Sequence, residues 1–119
     1  WYQVLDKARE KGNYPEASAS CMFVYTIAKG TRLGYLPKQF STVAASGFEA
    51  IKKQFLERDS EGVLHLNGTV QVSGLGGKPY RDGTFDYYLS EPVIQDDAKG
   101  MGAFILAAKE MQLQNKKGK

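Results

Sequence analysis

Residues Glu16 to Gly30, EASASCMFVYTIAKG, decide how this chain must be read. From Ala19 to Ala28 almost every side chain is small or apolar, with no polar face to offer water. A helix that is apolar all round must be covered all round. Ser18 or a neighbouring small polar residue is placed to cap its start, and Gly30 and Gly34 supply stop signals before Pro37. The next segment differs in kind. Phe40, Val43, Ala44, Phe48, Ile51 and Phe55 recur at spacings of three and four, with Lys38, Glu49, Lys52, Lys53 and Glu57 mostly between them. That pattern predicts an amphipathic helix from Lys38 to Glu57 with one wet face. A buried helix followed by an amphipathic one is the signature of an inner and an outer helical layer.

A third helix is expected after Asp96-Asp97, from Ala98 to Leu113, and it echoes the first. Glu16-x-Ser18-x-Ser20 leads into CMFVYTI and Ala28-Lys29, as Asp96-x-Ala98-x-Gly100 leads into MGAFILA and Ala108-Lys109. In both copies an acid comes first and small residues follow at every second position. Repeats of this type cannot close a core alone. The fold class expected is therefore mainly α, about three helices plus a short β-hairpin, belonging to a longer α/α repeat protein. The hairpin is expected where Leu64, Leu66, Val70 and Val72 alternate with His65, Asn67, Thr69 and Gln71, turning near Asn67-Gly68. Asp59 to Gly62 reads as a turn, Trp1 to Asp6 as a short strand or arm, and Trp1 and Tyr2 as packing under the neighbouring helices.

At 119 residues the chain suffices for one domain, 1–119, with a modest core. Its 42% apolar content excludes a disordered chain. The net charge of +3 comes from Lys116, Lys117 and Lys119; setting those three aside leaves 13 basic against 13 acidic residues. A neutral body argues against nucleic acid as a partner. Residues 114–119 are expected to be a disordered tail. Cys21 and His65 are each the only residue of their type, which excludes an intrachain disulfide, a cysteine-based metal site and a multi-histidine metal site. No cofactor is implied. No apolar run is long enough to span a bilayer and no signal peptide is visible. Because the chain starts at Trp1, it reads as a fragment or processed product. A soluble compartment is expected, cytoplasm or periplasm if the source is bacterial.

The least ordinary stretch is Ser73 to Glu91, SGLGGKPYRDGTFDYYLSE. A phosphate loop would need a glycine where Val72 stands and Ser or Thr where Pro79 stands; Pro79 also occupies the third glycine of a dinucleotide fingerprint. Glycines in this stretch serve a tight turn or close approach of backbone to a ligand. Tyr80, Phe85, Tyr87 and Tyr88 could offer flat faces and hydroxyls to a sugar, beside Arg81 and Asp82. Phe85 reads instead as an anchor of the loop to the core, while for Tyr87 and Tyr88 both roles stay open. The apparent alternation turns one of Tyr87 and Tyr88 inward and the other outward. Glu16, Ser18 and Ser20 also admit two readings: dipole complement, cap and close packing, or a helix N-terminus suited to an anion such as a uronic carboxylate. The structural reading carries more weight. His65 reads as solvated, and without a G-x-S-x-G elbow no nucleophilic serine is indicated.

The ordered motifs WYQVLDK, N-Y-x-E-A-S-A-S-C-M-F-V-Y, A-K-G-x-R-L-G-Y-L, G-T-V-x-V-x-G-L-G-G-x-P-Y-R-D-G-T-F-D-Y-Y-L-S-E-P-V and D-x-K-G-x-G-A-F-I-L-A resemble the C-terminal part of glycoside hydrolase family 105, the unsaturated rhamnogalacturonyl hydrolases. The resemblance implies a six-hairpin α/α toroid whose inner helices surround a pocket. It implies an enzyme that removes the 4,5-unsaturated uronic acid from the non-reducing end of pectin-derived oligosaccharides by hydrating the double bond. No aspartate of this chain matches the family's catalytic motif, so no catalytic residue is assigned to it and the chain alone is expected to be inert. What carries over is support for a sugar pocket: Glu16, Ser18 and Ser20, and Gly76, Gly77, Tyr87 and Tyr88 of the loop. The partner implied is an unsaturated uronic-acid oligosaccharide, with neither nucleic acid nor membrane. The competing reading is a non-catalytic helical module that binds carbohydrate or protein. Self-association is expected through Met22, Phe23, Tyr25 or Ile27 if the first helix is only partly covered.

Overall fold

The computed structural model describes residues 1–117. A short arm with a 3-10 turn at Leu5–Lys7 leads to helix α1, Ala17–Leu33. A second 3-10 turn at Lys38–Phe40 opens α2, Ser41–Phe55. Strands β1, Leu56–Arg58, and β2, Leu64–Leu66, form one antiparallel pair. Strand β3, Thr69–Val70, is followed by the short helix α3, Phe85–Ser90, then β4, Val93–Ile94, and α4, Ala98–Lys117. The fold is mainly α. Helix α4 continues past Leu113 to Lys117, through most of the stretch 114–119 expected as a tail, and Gly118 and Lys119 lie outside the described residues.

Helix α1 packs chiefly on α4 and secondly on α2. Ala17, Cys21, Val24 and Ala28 of α1, Ala44, Ile51 and Phe55 of α2, and Ala103, Ala107 and Met111 of α4 form the core. Small residues at three- and four-residue spacing let α1 and α4 approach closely. The sequence asks for cover on every side of α1, but α2 and α4 cover only part of it: Met22 is 47% exposed and Phe23, Tyr25 and Ile27 are half-buried. Trp1 does pack, its ring tilted at 5.2 Å on Phe23, yet stays partly exposed. At the far end of the helix pair, the Arg32 guanidinium donates to the Glu110 carboxylate and Gln114 donates to the Ala28 carbonyl at 2.7 Å.

The alternating run 64–72 is not the expected hairpin. Its first half pairs back with β1, Glu57 opposite His65, around the turn at Asp59–Gly62. Its second half pairs forward with β4, Thr69 opposite Ile94. Gly68, at φ +83°, breaks the strand between them, and a Cβ there would strike the Phe55 ring at 2.7 Å. The break exposes backbone groups that bind all three long helices. Gly68 O accepts from Ala17 N at 2.8 Å, Asn67 N donates to Phe55 O at 2.8 Å, and Leu66 O accepts from Asp96 N at 2.9 Å. Two acids complete the pattern: Glu16 accepts from Val70 N at 3.0 Å and Asp96 from Leu66 N at 2.8 Å. The acids that lead the two similar helices are thus both tied to one segment, 66–70.

Candidate functional site

Helix α1 is capped by Glu16, not by Ser18. Extended backbone at Glu16 turns its carboxylate back over the first turn, where Oε2 accepts from Ala19 N at 2.6 Å. Its Oε1 accepts from Val70 N and from the Ser18 hydroxyl at 2.8 Å. Glu16 is 1% exposed, and three donors satisfy it. A buried carboxylate is stable only when bonded in this way. The N-terminus of α1 therefore already holds an anion, its own, and an incoming carboxylate would have to compete with it.

Helix α3 corrects the reading of the tyrosine pair. Thr84 caps it, accepting from Tyr87 N at 3.2 Å, while the Asp82 carboxylate accepts from Thr84 N and its hydroxyl. These bonds hold the Asp82 carboxyl below the usual aspartate range, the backbone N–H of Thr84 first and its hydroxyl second. Tyr87 and Tyr88 stand side by side on this helix, rings tilted at 57° and 5.0 Å apart. They do not alternate across a strand. Tyr87 is an anchor: its hydroxyl accepts from Gly74 N at 3.0 Å. Before it, Gly76 and Arg81 exchange two backbone hydrogen bonds around a tip that contains the cis peptide Lys78–Pro79. The Arg81 stem crosses Gly74, and its guanidinium lies 3.7 Å from Glu91. Leu75 and Tyr80 project from this tip into solvent.

A cleft of about 550 Å³ opens between the N-terminal arm, the start of α1, β3 and α3. It brings Glu16, Ser18 and Tyr88 together with Gln3, Ser73 and Lys99. Gly76, Gly77 and Tyr87 do not line it, and Ser20 belongs elsewhere. Ser20 lines a second cleft, of about 470 Å³, between Trp1 and α2, which has no charged side chain. In the first cleft Ser18 commits its proton to Glu16 and keeps its oxygen as an acceptor. Gln3 donates to the Ser73 hydroxyl at 3.0 Å. Lys99 donates to Gln71 O at 3.0 Å and to Asp97 at 2.8 Å. Sequence reading missed Gln3, Ser73 and Lys99, which are single polar residues on polar backgrounds and are united only by the fold.

Among the described residues that line it, the cleft has polar hydrogen-bonding groups, one cation and one acid, Glu16, and no aspartate. Cys21, on the buried face of α1, is no nucleophile: burial, then the neighbouring Glu16, pushes its thiol up to about 12. Among the described residues no group of three or more His, Cys, Asp or Glu could hold a metal ion, and no helix is long and apolar enough to cross a membrane.

The family model of Glycosyl Hydrolase Family 88 matches residues 1–114. The chain belongs to that family. The family 88 chain is 47% identical over 119 residues to Protein Atu3128 of Agrobacterium fabrum and to the 24.9 kDa protein in the picA locus of Rhizobium radiobacter, covering 95% of itself and 51% of each. Among solved structures, a family 105 glycoside hydrolase of C. acetobutylicum superimposes with a TM-score of 0.92 at 46% identity, over 95% of this chain and 31% of its own. A possible family 105 member from Salmonella enterica reaches 0.75 at 28% identity, over 97% and 26%. The family 88 chain thus spans about half the length of the curated relatives and under a third of these solved structures. The resemblance to family 105 holds in three dimensions.

Proposed function

We propose that this chain is part of a glycoside hydrolase that removes a 4,5-unsaturated uronic acid from pectin-derived oligosaccharides, and that the cleft between Ser18 and Tyr88 is one wall of its sugar pocket. The supporting observation is the convergence there of the Ser18 oxygen, the Tyr88 ring, the Gln3–Ser73 pair and the Lys99 ammonium, polar groups of the kind that orient a sugar within a cleft. In the whole protein, folded as a toroid of helical hairpins, an aspartate from another segment would protonate C4 while water adds at C5. The hemiketal so formed would open and release the sugar. In this wall Lys99 would face the uronic carboxylate, and Tyr88 would lie along the ring.

General acid catalysis needs a proton donor within hydrogen-bond reach of the reacting atom. The single cleft acid, Glu16, has both oxygens bonded to other donors. That favours binding without turnover by this chain alone. Titration of the 119-residue chain with the unsaturated galacturonyl disaccharide, followed by amide NMR, tests both parts. Shifts should cluster at Gln3, Ser18, Ser73, Tyr88 and Lys99 and weaken in Tyr88→Ala and Lys99→Gln, while the absorbance of the conjugated double bond stays constant. Shifts centred elsewhere would overturn the assignment of the wall, and steady loss of absorbance would overturn the placement of the acid outside this chain.

A further inference from the structure

His65 sits at the middle of β2 with a carboxylate on each ring nitrogen: Nδ1 is 2.6 Å from Asp96 Oδ2 and Nε2 is 3.2 Å from Asp59 Oδ2. A neutral imidazole has one N–H and can donate to only one of them. Donating to both at once takes an imidazolium. Each acid is also fixed on its other side. Asp59 Oδ1 accepts from Glu61 N at 2.9 Å and Val63 N at 2.8 Å, closing the β1–β2 turn. Asp96 Oδ1 accepts from Leu66 N. Asp96 also holds a backbone φ of +55°, uncommon for a residue with a side chain. That conformation turns the chain into α4. The next residue, Asp97, accepts from Lys99 N at 3.0 Å and from Lys99 Nζ. A continuous series of contacts therefore runs from the β1–β2 turn through His65 and Asp96 to the cation of the cleft.

We propose that His65 is a positioning residue for that cleft, a proton-dependent clamp that joins the β1–β2 turn to the start of α4 and so sets the place of Lys99. That Lys99 meets a ligand rests on the function proposed for the cleft; the clamp itself does not. The other charged groups around the ring are already engaged. Glu57, directly opposite on β1, accepts from Asn67 Nδ2 at 2.8 Å; Arg58 donates to Gly62 O; Asp97 is held by Lys99. Among the described residues, only Asp59 and Asp96 bond the ring. They raise the His65 pKa above its ordinary 6.5, Asp96 first and Asp59 second, and His65 in turn lowers both carboxyls. Linkage between proton binding and folding then fixes the direction of the pH effect. A histidine whose folded value is raised contributes stability that is complete below the unfolded value and is lost as pH rises through the folded value. The clamp is closed in mildly acidic solution and opens on the alkaline side of 6.5.

His65 is the only histidine, so its ring resonances are unambiguous. An NMR pH titration of the 119-residue chain should give a midpoint above 6.5 with both ring nitrogens protonated below it. Asp96→Asn should lower that midpoint more than Asp59→Asn. The Lys99 and Asp97 amides should titrate with the same midpoint, and cease to do so in His65→Gln. His65→Lys, which supplies a fixed cation, should hold those amides at their low-pH positions across the range. A midpoint at the ordinary value, or Lys99 amides indifferent to it, would overturn the proposal. If the ring and Lys99 titrate together while no uronic sugar binds at any pH, the clamp stands and the sugar assignment falls.

Discussion

Replacing Glu16 by Gln separates the two readings of this residue, because the amide keeps the shape and changes the bonding. The carboxylate serves three donors: Ser18 Oγ and Val70 N on Oε1, and Ala19 N on Oε2. The less costly orientation of the new amide keeps its oxygen toward Ser18 and Val70 and turns its NH₂ onto the Ala19 N–H. The helix cap is then lost, at about 1 kcal/mol. The two remaining bonds lose the charge of their acceptor, worth about 1 kcal/mol more between them. Glu16→Gln should therefore cost about 2 kcal/mol, lowering Tm by roughly 8 °C for a chain of this size. Glu16→Ala should cost about 3–5 kcal/mol, since it also leaves the buried Val70 N–H without an acceptor. Urea denaturation of wild type and both variants, with Ser18→Ala as control, measures the series. If Glu16→Gln lies within about 0.5 kcal/mol of wild type while sugar binding disappears, Glu16 serves the ligand and its three hydrogen bonds do not carry the stability assigned to them.

Gly100→Ala should lower Tm even though alanine is the better helix former by about 1 kcal/mol, because the new methyl would overlap Thr69 Oγ1 and lie 3.2 Å from its Cβ and Cγ2; Thr69→Ala in the same chain should recover part of the loss, and a simple rise in Tm would show that α4 can move away from β3. Met22, Ile105 and Leu106 are about half exposed on α1 and α4, so sedimentation equilibrium of the isolated chain should show self-association at micromolar concentration, weakened by Met22→Gln, whereas a sharply melting monomer at all concentrations would refute it.

The helices were legible because their signals are local. The spacing of Ala44, Ile51 and Phe55 gives α2, and Gly34, at φ +82° with its N–H bonded to Gly30 O, ends α1 where a glycine stop is expected. The segment 64–70 was legible as strand but not in its pairing. Its partners lie on both sides in sequence, and the choice between them turns on Gly68 meeting Phe55, a contact no pattern contains. Tyr87 and Tyr88 misled because a helix of six residues is too short to display its period against a two-residue alternation. The Thr84 cap was the available signal. Of the residues that line the cleft, Glu16, Ser18 and Tyr88 stand out in the sequence, because unusual local composition marks them. Lys99 and His65 matter through contacts with Asp97, Asp96 and Asp59, and isolated polar residues announce no such partners.

The pairing of β3 with β4 closes the base of the excursion that carries the tyrosines. Val70 lies opposite Val93, and Gln71 N donates to Pro92 O at 2.8 Å, so the chain leaves and returns at one point. Everything from 72 to 91 hangs beyond that closure, while the bonds that dock α1, α2 and α4 lie on the other side of it. Lengthening such an excursion costs only about 0.6 kcal/mol per doubling of its length. Its tip can therefore be rewritten, shortened or grafted without disturbing the helix pair. In an ancestor or a laboratory library, the chemistry of that rim could change by replacing a single contiguous segment while the scaffold beneath it is inherited intact.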